Sequence, residues 1–206
     1  MAWRPRILGE GLCYHVRCQC NNRAFRLHTH EDFEQFLMIV LATRTKYRFL
    51  FHHFALMQTH IHLILSTPGP IFLDRIMHRI NHHYAMAYHR RHHRRGHFWM
   101  HGYRSSVIDT DAYALACMRY GDRNAIRAGL VTHPSDWPWC AYSYYAHGSV
   151  LLPLDPHRAY LGLAATREAC QAWYREFVES LLPSDEVRER EFIHSGLHRY
   201  LNTRKT

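Results

Sequence analysis

Tyr47–Thr67, YRFLFHHFALMQTHIHLILST, decides how the rest of the chain is arranged. Two runs dense in aromatic and β-branched residues, 47–57 and 60–67, flank the dipeptide Gln58-Thr59, and Pro68-Gly69-Pro70 stops the second. Both runs read as strand-like around a short turn, so they are expected to be the two strands of one antiparallel hairpin. Upstream, Thr29-His30-Glu31-Asp32 is a capping-box pattern. It opens a helix whose apolar residues Phe33, Phe36, Leu37, Val40 and Leu41 recur with a period of 3.6. Downstream, Phe72 to about His92 carries Leu73, Ile76, Met77, Ile80, Tyr84, Ala87 and Tyr88 on one stripe, and Gly96 breaks it.

Outside these segments, Leu12–Cys18 alternates as a strand and Tyr103–Ile108 as another. Asp109-Thr110-Asp111 caps a helix over 112–120 that continues past Gly121. The order is β-α-β-β-α-β-α. It predicts an α+β domain, an antiparallel sheet of the RRM or ferredoxin-like kind with helices on one face. Residues 154–206 read as two or three short helices, which places a boundary near 150: a first domain over 1–149 and a helical C-terminal extension over 150–206. That extension is expected to add nucleic-acid contacts or to cover the sheet.

With 206 residues, 47% of them hydrophobic, the chain can bury a substantial core. No run approaches the ~18 apolar residues that span a bilayer, and no apolar stretch near the N-terminus suggests a secretory signal. The expectation is an intracellular protein without a membrane partner. The six cysteines then need not form disulfides. Cys18-Gln19-Cys20 lacks the spacing of a zinc knuckle.

The net charge is +9. Residues 35–108 hold ten Lys/Arg against the single acid Asp74, and twelve of the twenty histidines. The whole excess therefore sits in one block that asks for an anionic partner. Arg dominates it and aromatics interleave around 97–104, which favours nucleic acid: guanidinium forks suit phosphates, and aromatic faces suit unpaired bases. Arg75, Arg79, Arg90, Arg91, Arg94 and Arg95 mark the wet side and end of the second helix. His89–Arg95 reads as a phosphate clamp whose affinity falls with salt.

His60-Ile61-His62 is the sharpest local signal. On a strand the two imidazoles share one face, ~7 Å apart, and can converge on a metal ion. The same pattern also suits two polar residues on the wet face of a sheet. Met57–Leu65 as a whole resembles the HUH signature (His, bulky apolar residue, His) of single-tyrosine transposases, which usually runs M-P-N-H-x-H-L-L-V. Tyr14-His15-Val16 with Cys20-Asn21-Asn22-Arg23 is similar to the family's Y-H-V…R-G-N-N-R. Trp99–Ser106 resembles W-x-G-R-F-R-S-S, Arg119–Val131 resembles R-Y-I-E-L-N-P-V-R-A-G-L-V, and Asp136–Tyr142 resembles D-Y-P-W-S-S-Y. These ordered blocks over residues 12–145 point to the REP-associated tyrosine transposases, bacterial relatives of insertion-sequence transposases, and hence to a sheet of the HUH-endonuclease type.

The resemblance implies a metal-dependent single-strand DNA endonuclease and strand transferase. In it Tyr120 is the nucleophile, and His60, His62 and Asn124 are ligands of Mg²⁺ or Mn²⁺. A free phenol, with a pKa near 10, needs a Lewis acid to drive attack on a phosphodiester. Cleavage beside a DNA hairpin would leave a 5′-phosphotyrosine. Arg23, Arg75, Arg79, Arg90, Arg91, Arg94, Arg95, Trp99, Arg104 and Arg127 are the expected nucleic-acid contacts, and single-stranded or hairpin DNA is the expected partner. The resemblance allows a homodimer and implies work at the bacterial nucleoid in the cytoplasm. An idle DNA- or RNA-binding module on the same fold is the alternative.

The chain departs from the family pattern in places. Gln58-Thr59 replaces Pro-Asn before the first histidine and reads as turn variation with little chemical consequence. Gly121 follows the nucleophile where an apolar residue is usual, and reads as a loosening of the helix there. Ala125 replaces a proline, and Met100-His101 stands where an acid is often found.

Overall fold

The computed structural model describes residues 6–69 and 72–180. Four strands, β1 (Leu12–Cys20), β2 (Leu50–Leu56), β3 (His60–Thr67) and β4 (Trp99–Ile108), form one antiparallel sheet in the order β2-β3-β1-β4. The expected hairpin is β2–β3, closed over Gln58-Thr59 by the Met57 N–H to the His60 carbonyl at 2.8 Å. Helices α1 (His30–Tyr47) and α2 (Leu73–Arg91) make the two crossovers.

Both lie on one face of the sheet, because strand alternation delivers an apolar row there. Tyr14, Val16, Cys18 and Cys20 of β1 and Ile61, Leu63 and Leu65 of β3 are buried in that layer. The Cys18 thiol reaches Asn81 of α2. Burial pushes both the Cys18 and Cys20 thiols up to about 12, so the C-x-C pair is packing. The alternate residues His15, Arg17, His60 and His62 face the other way.

Helix α1 starts as expected. The Thr29 side chain accepts from the Asp32 N–H, and Asp32 accepts from the Thr29 N–H, so both halves of the capping box are formed. It runs further than expected, through Tyr47, because its buried stripe continues from Val40 to Thr43. Arg48, in the left-handed region at φ 52°, then closes it, and β2 starts at Leu50 rather than at Tyr47. Strand β4 begins four residues early, at Trp99. A bulge at His101 (φ 61°) and Gly102 (φ 72°) absorbs extra residues, so the pairing moves from Arg17–Arg104 to Gln19–Met100.

The second face is covered in part by α3 (Asp111–Asp122), α4 (Asn124–Arg127), α5 (Tyr142–His147), α6 (Arg158–Leu161) and α7 (Arg167–Glu179). The described part of the C-terminal segment shares the core of the sheet domain: Leu154, Ala159, Tyr160, Cys170, Tyr174 and Val178 join Tyr142 and Tyr145 in one buried cluster. Asp155 stitches this segment to β2, accepting from the Phe51 N–H at 2.8 Å and from Arg44 at 2.6 Å. The remaining expected helical segment, 181–206, lies outside the described residues.

Gly121 does not loosen α3. A Cβ at this position would stand 2.9 Å from His53 Cε1 and 3.4 Å from Ala55 Cβ, both on β2. The missing side chain lets the end of the helix lie directly on the sheet. Gly121→Ala gains ~1 kcal/mol of helix propensity but overpacks a site where His53 is itself buried and bonded, at ~1–3 kcal/mol. The clash outweighs the propensity gain, so calorimetry should show a melting temperature lower by a few degrees.

Candidate active site

The histidine pair occupies the face of β3 that α3 and α4 cover. His60 and His62 have ring centroids 5.1 Å apart. The Tyr120 ring meets the His62 ring edge-on at 5.3 Å, and the Arg127 guanidinium lies over the Tyr120 ring, 4.4 Å from its centre. The Asn124 amide is 3.3 Å from His60 Nε2. Rotating that amide by 180° would put Oδ1 where Nδ2 lies. Asn124 is not a continuation of α3: the backbone relaxes at Arg123 and Asn124 opens the short α4, which turns the amide back over β3.

Each imidazole is held from behind. Thr59 Oγ1 bonds His60 Nδ1 at 2.9 Å, so the residue read as turn variation orients the first histidine and leaves its Nε2 facing Asn124. His15 Nε2 bonds His62 Nδ1 at 2.9 Å. The other His62 nitrogen, Nε2, is buried with no hydrogen-bond partner among the described residues. A buried orphan nitrogen is costly unless something completes it. Burial, with Arg17 adding repulsion, pushes His60 down to about 4. Burial, then the neighbouring histidines and Arg17, also hold His62 well below its usual value. Both rings are therefore neutral at physiological pH, the form that ligates a metal. Two imidazole nitrogens and one amide oxygen fit a divalent cation with open positions. Among the described residues no group of three or more His, Cys, Asp or Glu converges in this way.

The end of α3 is braced on both sides. Asp122, fully buried, accepts from the Tyr174 hydroxyl at 2.6 Å and is bonded to His53 Nε2 at 2.9 Å. Arg119 donates to the carbonyls of Phe177 (2.7 Å) and Ser180 (2.6 Å), and Arg123 to that of Val178 (2.7 Å). These are the outgoing carbonyls at the end of α7, which attract cations. Tyr120 sits between these anchors.

The basic residues divide into two groups. Arg104 on β4 and Arg23 in the 3-10 turn after β1 are exposed near Arg17, and Arg127 is at Tyr120 itself. Arg75, Arg79, Arg90, Arg91, Arg94 and Arg95 belong to α2 and its end, on the opposite side of the sheet. Within that second group Arg91 is engaged inside the fold, pairing with buried Asp32 and donating to Gln35 at 2.5 Å, while His92 meets the same carboxylate at 2.8 Å. Trp99 packs against Phe36, Tyr84 and Phe98 and donates its indole N–H to the Asn81 carbonyl at 3.1 Å.

His15, Arg17 and Thr59 are the site residues that the sequence reading did not single out. Strand alternation already put His15 and Arg17 on one face. What was missing was that β1 is the neighbour of β3, with Arg17 opposite His62.

Buried neutral histidines also make stability depend on pH. Burial holds His15, His60 and His157 down to about 4, against about 6.5 in an unfolded chain. Below pH 6.5 the unfolded state binds more protons, so stability declines as pH falls from 6.5 toward 4 and is level above that window. His157 Nδ1 accepts from the Ala159 N–H at 3.1 Å as the cap of α6, and protonation removes that acceptor. Thermal melts from pH 4.5 to 8 should show the decline. His157→Asn, which keeps an acceptor but cannot titrate, should make it shallower.

Residues 10–122 match the family model described as transposase IS200 like. Among solved structures, one titled "Structure of the REP associates tyrosine transposase bound to a REP hairpin" superposes with a TM-score of 0.62 at 19% identity, covering 76% of this chain and 92% of that one. A putative transposase from Deinococcus radiodurans R1 aligns at a TM-score of 0.41 and 17% identity, over 55% of this chain and 91% of that one. A search of curated proteins finds no match. The chain thus shares the overall fold of that REP-associated tyrosine transposase. With more than half its length matched, from just ahead of β1 to the last residue of α3, the chain belongs to the IS200-like transposase family.

Proposed function

We propose that this transposase cuts and rejoins single-stranded DNA beside a hairpin, with Tyr120 as nucleophile. The observation that carries the reading is the meeting of Tyr120 with His62, whose buried Nε2 lacks a partner, while Asn124 meets His60. His60, His62 and the Asn124 amide oxygen would hold Mg²⁺ or Mn²⁺, which when bound would polarise the scissile phosphodiester and offset its developing charge. For His62 to offer Nε2, its Nδ1 must carry the proton and donate to His15, so His15 selects the tautomer. Tyr120 attacks phosphorus in line, the bond to the 3′-oxygen breaks, and the DNA is left as a 5′-phosphotyrosine with a free 3′-hydroxyl. The phosphodiester energy is conserved in the tyrosyl ester, so the strand can be rejoined without a nucleotide cofactor.

Arg23, Arg104 and Arg127 would steady the cleaved strand. Arg75, Arg79, Arg90, Arg94 and Arg95 form a second basic surface, behind the sheet, for hairpin phosphates. The solved REP-associated transposase is described as bound to a REP hairpin, which supports a hairpin ligand here. Such a substrate assigns the protein to the bacterial nucleoid. Residues 150–180 act in this scheme by bracing α3, through Tyr174 and the carbonyls of α7.

The test is a gel assay with labelled hairpin oligonucleotides from the gene's own flanks, in Mn²⁺, Mg²⁺ or EDTA. A protein–DNA band that survives SDS and requires the metal is the expected result. Tight binding without any such band would instead identify an idle hairpin-binding module.

A further inference from the structure

Arg17 stands in the middle of the central strand, opposite His62 on β3 and Arg104 on β4. One of its Nη groups donates to Gln19 Oε1 at 2.7 Å. Its Nε is buried and has no hydrogen-bond partner among the described residues. Nor does any ion pair of the described residues include it. Burial is the main influence lowering its pKa, Arg104 and Arg23 push the same way, and Tyr120 opposes them. A half-buried guanidinium amid other cations, on the face that holds Tyr120 and the histidine pair, lacks an anion.

We propose that Arg17 is a further catalytic residue, its guanidinium gripping the non-bridging oxygens of the scissile phosphate; this rests on the tyrosine-transfer reading above. The planar fork matches two phosphate oxygens at once, and Gln19 holds it in place beforehand. In the transfer, the bond from Tyr120 Oη to phosphorus forms and the bond from phosphorus to the 3′-oxygen breaks. The phenol releases one proton to solvent and the 3′-oxygen takes one up, so no other reactant is needed. Arg17 exchanges no proton; it neutralises charge on the equatorial oxygens as it builds. Arg104 and Arg23 are exposed and suit flanking phosphates, and Arg127 already lies over the ring face of Tyr120.

Single-turnover adduct formation on the same hairpin oligonucleotides tests this with Arg17→Gln and Arg17→Lys. Arg17→Gln should slow adduct formation ~10²–10³-fold, and Arg17→Lys, with charge but no fork, by less. Melting temperature, and affinity for a hairpin that ends short of the scissile phosphate, should stay at wild-type values. The decisive comparison uses Rp and Sp phosphorothioates at the scissile position. If Arg17 touches a non-bridging oxygen, the Rp/Sp rate ratio changes in Arg17→Gln; an unchanged ratio, or a wild-type rate in that variant, overturns the proposal. If wild type itself forms no adduct, the tyrosine-transfer reading fails, and the Arg17 role with it.

Discussion

Tyr120→Phe should abolish the SDS-resistant adduct and lower strand cleavage on the order of 10⁴-fold or more, the scale seen when a nucleophile is removed from an organised site. The substitution deletes one oxygen and leaves the ring. The edge contact with His62 at 5.3 Å and the Arg127 guanidinium 4.4 Å from the ring centre depend on the ring alone. Folding and hairpin binding should therefore match wild type in melting and mobility-shift assays. That contrast separates a lost nucleophile from a lost fold. Tyr113 of α3 is itself buried, and Tyr142, Tyr145, Tyr160 and Tyr174 packed around that helix are buried with bonded hydroxyls, so none of them is placed to take over. An adduct that persisted in Tyr120→Phe would transfer the nucleophile to another residue and overturn the assignment.

His62→Ala should lose metal-supported cleavage on the order of 10³-fold or more and should also lose the thermal response to metal. Wild type should melt higher in Mn²⁺ than in EDTA, by mass action on the folded state; the variant should melt alike in both. In EDTA the variant gains a cavity and leaves the buried His15 Nε2 without its partner, both destabilising, while it sheds the unpartnered Nε2 of His62, so the losses are only partly offset. The two measurements together distinguish a ligand from a packing residue. Thr59→Val, which removes the bond to His60 Nδ1, should act in the same direction but more gently, weakening metal affinity ~10–100-fold as second-layer partners do.

Periodicity, caps and breakers are local, and the elements they define were legible in the chain. Thr29 and Asp32 announced the start of α1, and the stripe from Leu73 to Tyr88 announced α2. The alternation in HIHLIL already put His60 and His62 on one face. The meeting of Tyr120 and Asn124 with that pair was legible only through the family resemblance, since nothing local couples residue 62 to residue 120.

Gly121 shows the limit most directly. By propensity it weakens a helix, yet here it permits contact with His53, 68 positions earlier in the chain. Arg91 and Trp99 show the same limit from the other side. Their residue types suit phosphates and bases, but the fold surrounds them with Asp32 and with Phe36, Tyr84 and Phe98. The sequence by itself determined the first seven elements and their order, the face of the histidine pair and the place of the positive charge, because each of these depends on neighbours within a few residues. The tertiary structure alone decided that His15 and Thr59 hold the imidazoles, that Arg17 stands opposite His62, and that α7 braces the helix of Tyr120. Those contacts depend on strand pairing and helix packing between distant segments, which no local pattern encodes.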